Sequence, residues 1–198
     1  MEKDLWLSTD EAREAVLSLE MVLQTLPKVI ENIHYWKWVL IVLHNALQGY
    51  MVLALRGTNG LNVLTKKCAE KWRAAWQKDE DCDERRLDNF LNLYEKIQSG
   101  LMLIYWTSQP FKPQGTQTKS VKMLNDLRNE FIHFLPANWL RGIHGLPRVV
   151  EDCIDIIDFL VCECGNIIWY DQSLKQRSKD LISQVRKDLE PLKGWYGE

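Results

Sequence analysis

The stretch from Trp36 to Leu55 restricts the fold most, because its apolar residues surround most of a helical circumference. A helix of this kind must be covered by other parts of the protein or by lipid. Polar residues interrupt the stretch, which favours the centre of a helical bundle over a membrane span. The interrupting residues are Lys37, His44, Asn45 and Gln48.

The rest of the chain shows helical periodicity and no strand pattern, internal repeat or low-complexity segment. Ser8 and Glu11 form a capping box, Pro27 suits a first helical turn, and Asp83 is a candidate cap. We therefore predict an all-α, up-and-down bundle of about six to seven helices in a single domain, 1–198. Its core would span about 27–170, with helices 9–26 and 173–192 packed on it. Within the core, the predicted helices cover 27–55, 62–78, about 84–99, 118–135 and 146–170.

Charge is unevenly distributed along the chain. The net charge of −2 and the pI near 6.1 argue against a general nucleic-acid coat protein. From Phe111 to Val150, however, six basic residues face two acidic ones, a net charge of +4. This local excess suits a phosphate-bearing partner, although a merely solvated face would look the same.

The five cysteines indicate reduced thiols in a cytosolic protein. There is no CxxC pair, and Cys162 and Cys164 would point to different faces of one helix. Glu2, Lys3 and Asp4 precede any apolar run, so no signal peptide is predicted. We expect a cytoplasmic protein without a membrane span, a metal or a cofactor.

The segment from Thr118 to Pro136 carries the most informative motif. Its apolar residues recur every three or four positions, which predicts a helix capped by Thr118 and running to Leu135. Pro136 would stop it there, because proline lacks an amide hydrogen and restricts the preceding residue. The predicted apolar face consists of Val121, Leu124, Leu127, Phe131 and Leu135.

A polar stripe of Asn125, Asn129 and His133 follows the same helix at four-residue spacing. Arg128 lies about 140° around the helix from His133, but its long side chain could reach a phosphate over the final turn. The partial negative charge at the helix terminus favours a charged imidazole, and Arg128 opposes it. His133 is therefore the candidate for proton transfer.

Arg128, Asn129 and His133 together resemble the signature of the HEPN superfamily (higher eukaryotes and prokaryotes nucleotide-binding domain). In that signature a histidine follows an arginine after four to six residues, and a polar residue usually comes directly after the arginine. The resemblance implies a helical bundle that dimerises and brings two motifs into one cleft. Many members are metal-independent endoribonucleases of toxin–antitoxin or anti-phage systems. The resemblance covers about 27–170 and, beyond the motif, consists of the order and lengths of the predicted helices.

The predicted reaction is attack by the ribose 2′-hydroxyl on the neighbouring phosphate. It needs a base, an acid and positive charge, and one motif supplies a single imidazole and a single guanidinium. We therefore expect a homodimer in which both copies of Arg128 and His133 face one groove, while Asn129 orients His133 or holds a phosphate oxygen. The products would be a 2′,3′-cyclic phosphate and a 5′-hydroxyl. Further candidate RNA-binding residues are Lys122, Asn125, Trp139 and Arg141.

Other interpretations remain open at this point. Trp139 could pin a loop to the core instead of stacking on a base. His44 and Gln48 could form a buried hydrogen-bonded pair or lie near the motif helix. Phe134 and Leu135 replace a tyrosine that some toxins carry for modification by an antitoxin, although an antitoxin or regulatory protein remains a possible partner. The competing functions are a non-catalytic HEPN-like module that binds a nucleotide or a protein, and an unrelated helical ligand-binding protein.

Overall fold

The computed structural model describes residues 6–133, 140 and 142–196. Within these ranges the regular structure is helical, and the one β-type contact is an isolated bridge between Leu64 and Leu87. The all-α prediction is confirmed. The seven helices are α1 (Glu11–Thr25), α2 (Trp36–Leu55), α3 (Lys66–Lys78), α4 (Phe90–Ile97), α5 (Gln117–Ile132), α6 (Leu146–Cys162) and α7 (Gln172–Tyr196).

Helix α2 lies at the centre of the fold, in contact with α1, α4, α5 and α6. Its side chains are buried on most sides, including Val39, Leu43, Leu47 and Met51. The helical stretch Ile33–Leu55 is long and apolar enough to cross a membrane, but 61% of its most apolar window is buried within the described fold. The core helix of a soluble protein has the same properties.

Helices α1 and α2 approach each other closely at Gly49. A Cβ atom added to this glycine would lie 2.8 Å from the Cβ of Ala15, which is closer than side-chain atoms pack. Glycine on α2 and alanine on α1 therefore allow the two backbones to come together. The position of α1 in turn allows Arg177 of α7 to pair with Glu20 across 2.7 Å.

The first two helices begin later than the sequence predicts. Asp10, not Ser8, caps α1, and its carboxylate accepts a 2.8 Å hydrogen bond from the amide of Arg13. Pro27 starts a 3₁₀ turn, and α2 begins only at Trp36. A second 3₁₀ turn, capped by Asn32, lies between the turn at Pro27 and the start of α2. The short capping side chains at these points satisfy amides that a continuous helix would have bonded internally.

Three other predicted helices are also shorter in the structure. Helix α3 follows a 3₁₀ turn and is capped by Thr65, whereas α4 is capped by Asn89 instead of Asp83. Helix α6 ends at Cys162, so the predicted extension to residue 170 is wrong. Gly165 adopts a left-handed φ of 73°, and its Cα lies so close to the Thr107 carbonyl that a Cβ would clash. A tertiary contact thus ends α6 where hydrophobic periodicity would continue it.

Two glycine-to-alanine substitutions should affect stability differently, because only one of them lies at the contact between α1 and α2. Gly49→Ala should lower the free energy of unfolding by about 1–3 kcal/mol, because the added methyl group forces the two helices apart. Gly194→Ala on α7 meets no atom within 4 Å, so it should be neutral or stabilising by up to about 1 kcal/mol. Urea denaturation of the three proteins measures both effects. Equal stability of the two variants would contradict the proposed contact.

Candidate functional site

Helix α5, which carries the motif, packs against α6 and α2. It extends from Gln117 to Ile132, so it starts before the predicted cap and ends before the predicted stop. Thr116 precedes it without making a side-chain cap, and the predicted cap Thr118 instead lies 3.2 Å from the hydroxyl of Tyr94. The last residue of α5 is Ile132, and the predicted stop, Pro136, lies outside the described residues.

A buried carboxylate fixes the first turn of α5. Asp152 of α6 is 1% exposed and accepts hydrogen bonds from the hydroxyls of Thr116 (2.7 Å) and Ser120 (2.6 Å). The Nε atom of Arg148 lies 3.2 Å from the other carboxylate oxygen, which supplies the compensating charge. A buried charge with several partners holds its neighbours in one geometry. The orientation of α5 relative to α6 is therefore well defined near its N-terminus.

Arg128 lies on the inner side of α5, four residues after Leu124 and seven after Val121, which are both buried. Its Nη1 donates a 3.0 Å hydrogen bond to Oδ1 of Asn129. Its Nε is buried and has no hydrogen-bond partner. The guanidinium is thus connected through Asn129 to the outer face of the helix, while its inner nitrogen remains unsatisfied.

His133 is exposed and directly follows α5. Its φ and ψ angles of −96° and 81° are not helical, and its amide donates a 2.9 Å hydrogen bond to the carbonyl of Asn129. The imidazole is therefore accessible to a substrate. The motif residues are placed differently: His133 is exposed, whereas Asn129 and Arg128 are half-buried and the Nε atom of Arg128 is buried.

An open cleft of about 690 Å³ runs along the outer side of α5. Lys119, Lys122 and Asn129 line it together with two acidic residues, Asp126 and Glu130. The net positive charge of residues 111–150 is thus partly balanced at this surface. Elsewhere in this stretch, Arg148 pairs with Glu151 and Asp152 of α6.

Of the further predicted RNA-binding residues in the described part of the chain, Lys122 lines this cleft and Asn125 does not. Asn125 is half-buried, and its amide donates to Asp126 over 3.3 Å. Trp139 and Arg141 lie outside the described residues, so their predicted roles stay predictions. Lys122 is exposed in the cleft, where it could reach a phosphate.

His44 is the residue next to the motif whose role the sequence left open. It is 3% exposed, and its ring stacks on Phe90 of α4 with 3.9 Å between the ring centroids. Neither ring nitrogen has a hydrogen-bond partner, so the alternative of a satisfied pair with Gln48 is wrong. Its position at the junction of α2, α4 and α5 instead brings it near Arg128.

The imidazole of His44 is held in its neutral form. Burial lowers its pKa most, the positive charge of Arg128 lowers it further, and the amides of Asn45 and Asn125 offset part of the effect. The resulting pKa is about 4, against an ordinary value of 6.5. His44 is therefore uncharged at neutral pH, and one of its ring nitrogens is a hydrogen-bond acceptor.

A second cleft of about 640 Å³ lies at the other end of α2, around the turn that follows it. Arg56 and Arg85 line this cleft, and Arg56 forms an ion pair with Glu11. Tyr105 also lines it and has a buried hydroxyl without a partner. No sequence pattern indicated this cleft, because the lining residues come from five separate stretches of the chain.

No group of three or more histidine, cysteine or acidic side chains within residues 6–133, 140 and 142–196 is arranged to hold a metal ion. All five cysteines in these ranges are free thiols. Comparisons with protein-family models, with curated proteins and with solved structures gave no match to this chain.

His44 should make the stability of the protein depend on pH. Its pKa is lower in the folded protein than in the unfolded chain, so the unfolded chain takes up the proton first as the pH falls. Stability should decrease from about pH 6.5 to pH 4, by a total on the order of 3 kcal/mol from this residue. His44→Phe, which keeps an aromatic ring against Phe90, should remove that part of the decrease.

Urea denaturation of both proteins at several pH values measures this difference. Carboxylates such as Asp88 also destabilise the folded protein in acid, and they do so equally in both proteins. Burial raises the pKa of Asp88, but hydrogen bonds from Lys96 and Asn92 bring it below its ordinary value. Parallel pH profiles for the two proteins would show that His44 is not a buried neutral group.

Proposed function

We propose that this protein is a metal-independent endoribonuclease of the HEPN type that acts in the cytoplasm, in toxin–antitoxin or anti-phage defence. It cleaves RNA through attack of a 2′-hydroxyl and leaves a 2′,3′-cyclic phosphate and a 5′-hydroxyl. The catalytic residues are Arg128, Asn129 and His133. The proposal rests first on the resemblance of this motif to the HEPN signature.

The geometry of the motif supports this proposal. The single observation that carries it is the 3.0 Å hydrogen bond from Arg128 to Asn129, because it links an inward-facing guanidinium to the outer face of α5. His133 lies four residues after Asn129, donates its amide hydrogen to the Asn129 carbonyl over 2.9 Å, and is exposed. A phosphate bound near Asn129 would therefore be close to an imidazole and to a guanidinium.

Each side chain has a role that its chemistry allows. The imidazole of His133 removes the proton from the 2′-hydroxyl, or donates one to the leaving 5′-oxygen. The guanidinium of Arg128 stabilises the negative charge that develops on the phosphorus centre. The amide of Asn129 holds Arg128 and hydrogen-bonds a phosphate oxygen. Lys119 and Lys122 attract the RNA backbone to the adjacent cleft.

One chain is chemically incomplete for this reaction. The chain has four histidines, of which His44 is buried and neutral, His34 belongs to a 3₁₀ turn, and His144 contacts the carbonyl of Tyr196. His133 is the remaining one, and it cannot be acid and base in the same step. We propose that two copies pair as a homodimer so that two motifs serve one scissile phosphate.

Substitution of His133 tests the chemistry directly. His133→Ala should abolish cleavage of single-stranded RNA in the presence of a chelator, because it removes both the base and the acid of the dimer. His34→Ala is the matched control, since His34 is also exposed and should leave cleavage unchanged. End analysis of the products should show 2′,3′-cyclic phosphates. Cleavage by pure His133→Ala protein, or a metal requirement, would refute the proposal.

The lysines of the cleft should determine how strongly binding depends on salt. Lys119→Gln with Lys122→Gln should weaken RNA binding about equally for different sequences and reduce the slope of log Kd against log salt by about 1–2. Lys66→Gln with Lys67→Gln, on the exposed start of α3, should change neither quantity. Filter binding at four salt concentrations distinguishes the two pairs. Identical slopes for both double variants would place the RNA elsewhere.

The second cleft favours one alternative, a non-catalytic module that binds a nucleotide. Its volume suits a small ligand, and Arg85 and the unpartnered Tyr105 hydroxyl could contact a phosphate. Calorimetry with AMP distinguishes this function from the nuclease. Micromolar binding that Arg85→Gln abolishes, together with no RNA cleavage by the wild type, would favour the alternative.

A further inference from the structure

We propose that His44 is a positioning residue, whose ring accepts a hydrogen bond from Nε of Arg128 and so directs the guanidinium toward the scissile phosphate. The inference deepens the proposed function and rests on it for its catalytic consequence. It adds a residue from a second helix, α2, to the site, and no signature in the sequence indicates this residue.

Two side chains on helices that pack together carry buried nitrogen atoms without hydrogen-bond partners. Both ring nitrogens of His44 are unsatisfied, and so is Nε of Arg128. Buried polar groups in proteins nearly always have hydrogen-bond partners, and an orphaned pair is unusual. His44 lies on α2 and Arg128 on the inner side of α5, and these two helices pack against each other. The charge of Arg128 also acts on His44. A hydrogen bond between the ring and Nε would satisfy both groups together.

The donor and acceptor count fits this pairing. A neutral imidazole has one acceptor nitrogen and one N–H group. The acceptor can take the hydrogen of Arg128 Nε, and the N–H can reach the amide oxygen of Asn125 or Asn45, the two amides that act on the ring. A charged imidazole would have two donors and could not accept from Arg128. Burial and the nearby positive charge prevent that state at neutral pH.

The stacking of His44 on Phe90 makes the ring a firm support. A centroid separation of 3.9 Å and an interplanar angle of 22° leave the imidazole little freedom to rotate. Asn129 already holds Nη1 of Arg128 at 3.0 Å. With Nε held by His44, two points of the planar guanidinium would be fixed and Nη2 would be directed at a phosphate oxygen. Lysine could not replace such a group, because it has no planar fork.

A double-mutant cycle in RNA binding tests this coupling. The probe is a single-stranded oligonucleotide with 2′-deoxy sugars, which cannot be cleaved. His44→Phe should weaken binding about tenfold in the wild-type background, because the guanidinium loses its orientation. In the Arg128→Met background the same substitution should have no effect. Equal losses in the two backgrounds would overturn the inference.

Two further variants separate positioning from stability. His44→Gln restores an acceptor on a side chain of similar reach, so it should recover most of the affinity that His44→Phe loses. Ser178→Ala removes another buried hydrogen bond, the 2.8 Å contact with Tyr50, and should lower stability without changing affinity. A loss of affinity in Ser178→Ala, or none recovered in His44→Gln, would indicate a purely structural role for His44.

Nuclear magnetic resonance provides a readout that does not depend on cleavage. The Nε hydrogen of Arg128 should exchange slowly with water in the wild type and rapidly in His44→Phe. If His133→Ala retains cleavage but this difference is observed, the proposed function fails and the contact between His44 and Arg128 stands. If exchange is the same in both proteins, the positioning role is wrong whatever the activity.

Discussion

The fold depends on the removal of α2 from water. Because this helix is apolar on most of its surface, its neighbours α1, α4, α5 and α6 must enclose it. That requirement brings the motif helix α5 beside α4 and α2, so that the charge of Arg128 acts on His44, the one histidine of α2. The geometry of the candidate site is thus a consequence of how the central helix is covered.

The buried polar groups of the core fall into two kinds. Asp152 and Asn166 are fully engaged: Asn166 bridges the carbonyls of Ala54 and Met102 and accepts a hydrogen bond from Ser108. They connect helices and loops, as satisfied buried groups usually do. His44 and Arg128 instead remain partly unsatisfied at neighbouring positions. An unsatisfied pair costs stability, so its presence beside a candidate motif favours a functional explanation.

Helical periodicity predicted the existence and order of the elements but not their ends. The all-α class, the central helix and the motif helix follow from apolar spacing, which is a local property. The ends were decided by groups distant in sequence or by capping chemistry, as at Asp10, Asn89 and Gly165. The site was predictable to the same degree. Spacing placed Asn129 and His133 on one side of the predicted helix, whereas the burial of Arg128 Nε required knowledge of its neighbours.

By itself, the sequence determined which residues share a helical face, because about 100° separates consecutive residues in every α-helix. It therefore determined the stripe that ends at His133 and the apolar surface of α2. Only the tertiary structure decided that His44 lies against Phe90 and near Arg128, more than eighty residues further along the chain. Burial and electrostatic influence depend on which helices pack together, and no local pattern contains that information.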